Sequence, residues 1–103
     1  MIEINKLYND DCLHKMQFID DKSIDAIITD LPYGQTARNK WDSVIPFDDL
    51  WDHYERIIKD NGAIILFANG MFTADLMESN KNFNLGRAGY FVIDEADRMF
   101  DMG

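Results

Sequence analysis

Ala63-Ile64-Ile65-Leu66-Phe67-Ala68 is six consecutive apolar residues, with Asn61-Gly62 before them and Asn69-Gly70 after. Six residues is strand length rather than helix length, and apolar side chains at both parities ask for shelter on both faces of the strand. Parallel sheets create that demand, because the crossovers joining their strands lay helices over the sheet. Two further runs fit the same role. Ser23 to Thr29 carries Ile24, Ala26, Ile27 and Ile28 and ends on Asp30, and Tyr90-Phe91-Val92-Ile93 ends on Asp94. Pro32 and Gly34 then stop the first of these, since neither continues a ladder. Ile2-Glu3-Ile4 alternates and reads as a short opening strand.

Helical patterns fill the intervals. Asn9-Asp10-Asp11 supplies capping side chains ahead of Leu13, Met16 and Phe18, which predicts a short helix. Leu50, Trp51, Tyr54, Ile57 and Ile58 recur on one helix face, with Asp48 and Asp49 at its start and Asn61-Gly62 as its stop. After Asn69-Gly70 comes a third helix carrying Phe72, Leu76 and Met77, and Arg98-Met99-Phe100 reads as a helix start. Residues 31–46 and 80–89 lack periodicity and are read as loops. The expected fold is α/β: a small open, mainly parallel sheet of about four strands with helices on its faces, a Rossmann-like fragment in one domain spanning 1–103. Ligands in such sheets bind beyond the carboxyl ends of the strands, where Asp30 and Asp94 both fall.

Composition narrows the partners. Nineteen acids against ten bases give a formal net charge of −9. Nucleic-acid binders neutralise phosphates with clustered Lys and Arg, so tight autonomous DNA or RNA binding is not expected. No apolar run approaches a membrane span and the N-terminus lacks a basic-then-apolar leader, so a cytoplasmic protein without a membrane partner is expected. The single Cys12 admits no internal disulfide and is expected as a buried or half-buried packing residue. His14 and His53 lie far apart without a cysteine partner, Asp48, Asp49 and Asp52 read as a solvated helix end, and Met71, Met77, Met99 and Met102 read as packing residues. No metal site is expected.

Two motif series carry chemistry. Leu7-Tyr8-Asn9-Asp10-Asp11-Cys12-Leu13, the run from Ser23 through Asp30-Leu31-Pro32-Tyr33-Gly34, Trp41-Asp42, Ile45-Pro46-Phe47, Leu50-Trp51 and Asn61-Gly62-Ala63-Ile64-Ile65-Leu66-Phe67 together resemble the N-terminal catalytic part of DNA adenine-N6/cytosine-N4 methyltransferases. The resemblance covers about residues 2–83. An exocyclic amino nitrogen is a poor nucleophile because its lone pair is delocalised into the ring. A carboxylate and a backbone carbonyl that accept its hydrogens favour a more reactive, pyramidal nitrogen. The resemblance implies that Asp30 holds the amino group, Leu31 or Pro32 supplies the carbonyl and Tyr33 stacks on a flipped base. Leu31 departs from the commoner proline.

From about Asn84 the character changes. Gly89-Tyr90-Phe91-Val92-Ile93-Asp94-Glu95-Ala96-Asp97-Arg98-Met99-Phe100-Asp101-Met102-Gly103 resembles the second conserved motif of DEAD-box RNA helicases. That implies Asp94 helping to hold Mg²⁺ through water and Glu95 polarising the attacking water of ATP hydrolysis.

Each parent chemistry needs a loop not found here. The methyltransferases bind S-adenosylmethionine through a Phe- and Gly-containing loop after a strand, and Gly86-Arg87-Ala88-Gly89 precedes one instead. Helicases cradle ATP with a Gly-x-x-x-x-Gly-Lys-Ser/Thr string, which does not occur in the sequence. Asp30, Leu31, Pro32, Tyr33, Asp94 and Glu95 are therefore expected to be vestigial. No cofactor is expected in the isolated chain, although the parents use S-adenosylmethionine and ATP with Mg²⁺. The leading reading is a non-catalytic, artificial or recombined α/β chimera ending at Gly103, inactive alone. Exposed sheet edges point to a homodimer or strand-exchanged oligomer. The alternatives are a methyltransferase fragment that retains some cofactor or DNA binding, and an ATP/Mg-binding helicase-like module.

Overall fold

The computed structural model describes residues 2–32, 34, 43–80 and 89–94. The element order is α1 (Cys12–Met16), β1 (Ile24–Asp30), α2 (Phe47–Ile57), β2 (Ile58–Ala68), α3 (Met71–Ser79) and β3 (Gly89–Asp94). The three strands form one parallel sheet in the order β1-β2-β3, with the run 63–68 as its central strand. Two successive crossovers stepping in one direction with the same hand place their helices on the same side of the sheet. Both α2 and α3 do lie there. Trp51 of α2 meets Tyr90 of β3 edge-on at 6.1 Å between ring centroids, and Thr73 of α3 reaches Asp94.

The core is the layer between these helices and the sheet. Leu50, Trp51, Tyr54 and Ile57 of α2, Phe72 and Leu76 of α3, and Ile64, Leu66 and Ala68 of β2 are all buried. The helix face read from the sequence is thus the buried face. The Trp51 indole N–H donates to Ser79 Oγ at 2.7 Å, and that hydroxyl donates to the Leu76 carbonyl at 2.6 Å, fastening α2 to the end of α3. Asp11 caps α1 by accepting from the Leu13 N–H at 2.9 Å, as the acidic run before the helix predicts. Arg56 then ties α1 down from α2. Its guanidinium donates to the carbonyls of Met16 and Ile19, both at 2.7 Å, and pairs with Asp21 at 2.9 Å.

Four readings need correction. Ile2-Glu3-Ile4 is not a strand, and among the described residues the sheet has three strands rather than four. The Tyr8 hydroxyl accepts from the Glu3 N–H at 2.7 Å and donates to the Glu3 carbonyl at 3.2 Å, while Asn5 takes a left-handed φ of 56°. This local closure occupies the groups a ladder would use and leaves Ile4 and Leu7 exposed.

Asn61-Gly62 does not stop α2. The helix ends at Ile57, and Ile58 is already extended and paired with Ile24. Between Ile24/Ala26 the register shifts, because the partners of these two residues are Ile58 and Ala63. Gly62 sits in that irregularity. A Cβ there would lie 2.8 Å from the Ile58 side chain and 2.9 Å from the Asp25 carbonyl, so the glycine serves a close strand crossing rather than a helix end.

Cys12 is exposed at the first turn of α1 rather than packed in the core. Met71 and Met77 of α3 are 77% and 46% exposed, so neither is a packing residue of the core. Met99, Met102 and the helix start at residues 98–100 lie outside the described residues.

Candidate functional site

All three strands run parallel, so their carboxyl ends share one edge of the sheet. Asp30 closes β1 and Asp94 closes β3, with Phe67 and Ala68 of β2 between them. The sequence therefore places both acidic candidates on the edge where such sheets bind ligands.

Register separates them. Asp30 aligns with Phe67, which aligns with Ile93, whereas Asp94 aligns with Ala68. Side chains alternate faces along a strand, so Asp30 lies on the face away from the helices and Asp94 lies on the helix-covered face. Two strand spacings, roughly 10 Å, add to the separation. The carboxylates do not converge on one ligand.

Each has its own surroundings. After Asp30 the chain turns at Leu31, which is buried in the core, and Pro32, which is half-buried. Burial explains leucine at this position, because its side chain anchors the turn. Tyr33 and Glu95 lie outside the described residues. Asp94 accepts a hydrogen bond from Thr73 Oγ1 at 3.3 Å, in the first turn of α3. Thr73 went unnoticed in the sequence, where nothing but its distance of three residues from Gly70 marks it. Gly70 precedes α3 with φ 58° and offers no capping side chain.

That arrangement tests the ATP-like role. A helix start carries partial positive charge that suits a phosphate. Here the Asp94 carboxylate already lies against that start, and Asn69-Gly70 is a two-residue link rather than a wrapping loop. A phosphate placed there would meet that like charge unless a cation such as Mg²⁺ bridged the two.

Elsewhere, His14 pairs with Asp10 at 2.8 Å on the surface of α1. Asp48, Asp49 and Asp52 are solvent-facing at the start of α2. Among the described residues, no three His, Cys, Asp or Glu side chains converge as a metal site. No described helix is long and apolar enough to cross a membrane.

Comparison with known proteins returns both families. The chain is 55% identical over 42 residues to DEAD-box ATP-dependent RNA helicase 20 of Arabidopsis thaliana, covering 41% of this chain and 8% of that protein. It is 27% identical over 74 residues to Type II methyltransferase M.BamHI of Bacillus amyloliquefaciens, covering 63% of this chain and 18% of that protein. Pre-mRNA-processing ATP-dependent RNA helicase PRP5 of Chaetomium globosum is 52% identical over 44 residues, covering 41% of this chain and 4% of that protein. No protein-family profile matches, and no solved structure does. The chain spans less than a fifth of each of these relatives. The helicase similarity is longer than the segment 84–103 that its motif suggests. The shares of the chain matched by the two families slightly exceed its whole length, so the two similarities overlap. One chain of 103 residues is thus similar to a type II methyltransferase and to DEAD-box ATP-dependent RNA helicases at once.

Proposed function

We propose that this chain is a non-catalytic chimeric scaffold, in which a methyltransferase-like segment and a helicase-like segment complete one parallel sheet. The observation that carries this reading is the opposite facing of Asp30 and Asp94 across the register of β2. Each motif keeps the strand that delivers its carboxylate, and no Gly-x-x-x-x-Gly-Lys-Ser/Thr string accompanies it within these 103 residues. A parallel sheet asks a strand only for a short apolar run, which Tyr90-Phe91-Val92-Ile93 supplies whichever family it came from. The strand is compatible with the sheet while the chemistry is not. A cytoplasmic location and the lack of tight nucleic-acid binding belong to the same proposal, the second supported by the net charge of −9.

The test is an amide-resolved NMR titration with S-adenosylmethionine, then with ATP and Mg²⁺. Dispersed peaks unmoved by either ligand are expected. Saturable shifts at Asp30 to Pro32 with S-adenosylmethionine would favour a binding-competent methyltransferase fragment, the reading that 27% identity over 63% of the chain supports next. Mg²⁺-dependent ATP binding that Glu95→Gln abolishes would favour a helicase-like module instead.

A further inference from the structure

The sheet has a second face, and none of the described elements covers it. Its positions form a grid of three rows across β1, β2 and β3. Ala26, Ala63 and Gly89 make the first row, Ile28, Ile65 and Phe91 the second, and Asp30, Phe67 and Ile93 the third. Ile28 is 66% exposed, Phe91 55% and Ile93 38%. An apolar hollow of about 510 Å³ runs from Ile65, Phe91 and Ile93 around the β3 edge to Met77.

We propose that this face is covered by a second copy of the chain, stacked sheet on sheet about a two-fold axis that crosses the strands. Three observations select that occupant. The first is shape. Side-chain size grows along the strands, from the shallow Ala26 and Ala63 to the bulky Phe67 and Ile93. A two-fold axis through the middle row reverses that gradient, so the shallow end of one copy receives the bulky end of the other, and each Ile65 meets its own counterpart. An isologous contact needs this self-complementarity. Phe91 contributes to the flatness, because its ring leans back over Gly89, where a Cβ would lie 2.8 Å from it.

The second is charge. The grid contains a single ionisable residue, Asp30, at one corner, and the reversal carries the two copies of it to opposite ends of the contact. The third is area. At about 200 Å² of full surface per large side chain, the middle of the aromatic range, Ile28, Phe91 and Ile93 present roughly 300 Å². The exposed Ala26 and Asp30 and the partly exposed Ala63, Ile65, Phe67 and Gly89 enlarge that face, so two copies together approach the lower end of specific interfaces, about 1,200 Å² in total. The contact forms at high protein concentration. It strengthens with added salt, since each copy carries −9 and screening lowers the mutual repulsion. Unlike an association through strand edges, it depends on the face side chains.

Sedimentation equilibrium of the full chain tests this, up to about 1 mM and with salt raised from about 0.15 to 1 M. The wild-type average mass is expected to rise from 12.0 kDa toward twice that value. Ile28→Lys and Phe91→Lys, on opposite edge strands, are each expected to weaken association at least roughly 10-fold. Circular dichroism melts keep the comparison to variants that remain folded. A wild-type mass fixed at 12.0 kDa overturns the proposal and points to a helical layer from another chain as the cover. A dimer that survives in both folded variants also overturns it, in favour of pairing through the strand edges.

Discussion

Ile64→Ala and Ile28→Ala remove the same three carbons from adjacent strands and should have very different costs. Ile64 is 1% exposed between β2 and the helices, while Ile28 is 66% exposed on the other face of β1. Three carbons at about 0.8 kcal/mol each give about 2.4 kcal/mol for Ile64. The hole left in the buried cluster adds about 1 kcal/mol if the site half collapses. The total, about 3.5 kcal/mol, is a large part of the stability available to a chain of this size. Ile28 is only a third buried, so its truncation costs about 0.8 kcal/mol. In melting temperature these become losses of roughly 15–25 °C and about 3–6 °C. Circular dichroism melts at low micromolar concentration, where self-association does not contribute, provide the assay. Equal losses for the two variants would refute the assignment of one covered face and one open face.

Other tests address single contacts. Arg56→Met removes the donors to the Met16 and Ile19 carbonyls and should cost about 1–2 kcal/mol, with faster amide exchange concentrated in residues 12–19. An unchanged exchange pattern would show that α1 is held by other means. Thr73→Val deletes the 3.3 Å hydrogen bond to Asp94 and should lower stability by about 1 kcal/mol, read from urea midpoints; a gain in stability would contradict the contact. The Cys12 thiol is pushed above its ordinary value of 9.0, by partial desolvation first and then by the Asp11 charge. A raised thiol pKa stabilises the fold fully below 9.0, and that contribution is lost as pH rises through the folded value. Alkylation at pH 8–9 should therefore run slower in the folded chain than in urea, and equal rates would remove the shift. Asp10 is lowered below 3.8, chiefly by its hydrogen bond with His14, so its contribution is present above 3.8 and fades as pH falls through the lower folded value. His14→Ala should narrow that acid window in an NMR titration of Asp10, and an unchanged titration would refute the pairing.

Local composition was enough to read most of the elements. The apolar runs at 24–29, 63–68 and 90–93 became parallel strands because a continuous apolar run at strand length has few other ways to leave water. The face through Leu50, Trp51, Tyr54 and Ile57 became the buried face of α2 because a 3.6-residue period allows only one such stripe. The placement of Asp30 and Asp94 at strand ends was legible for the same reason. Ile2-Glu3-Ile4 misled because three alternating residues carry no information about a neighbouring strand, and Tyr8 offered a closer partner. Asn61-Gly62 misled because a glycine that stops a helix and a glycine that permits a close crossing look alike in one dimension.

By itself, then, the sequence determined the strand identities, the helical stripe, the acidic strand ends and the likeness to two enzyme families, since each depends on neighbours along the chain. Register was decided only in three dimensions. Pairing Phe67 with Ile93 and Ala68 with Asp94 turned one carboxylate toward the helices and left the other on the opposite face. A shift of one residue would have reversed that, because strand side chains alternate faces with a period of two. The same long-range pairing, with both crossovers on one side, left Ile28 and Phe91 facing outward from strands whose composition asks for cover on both faces.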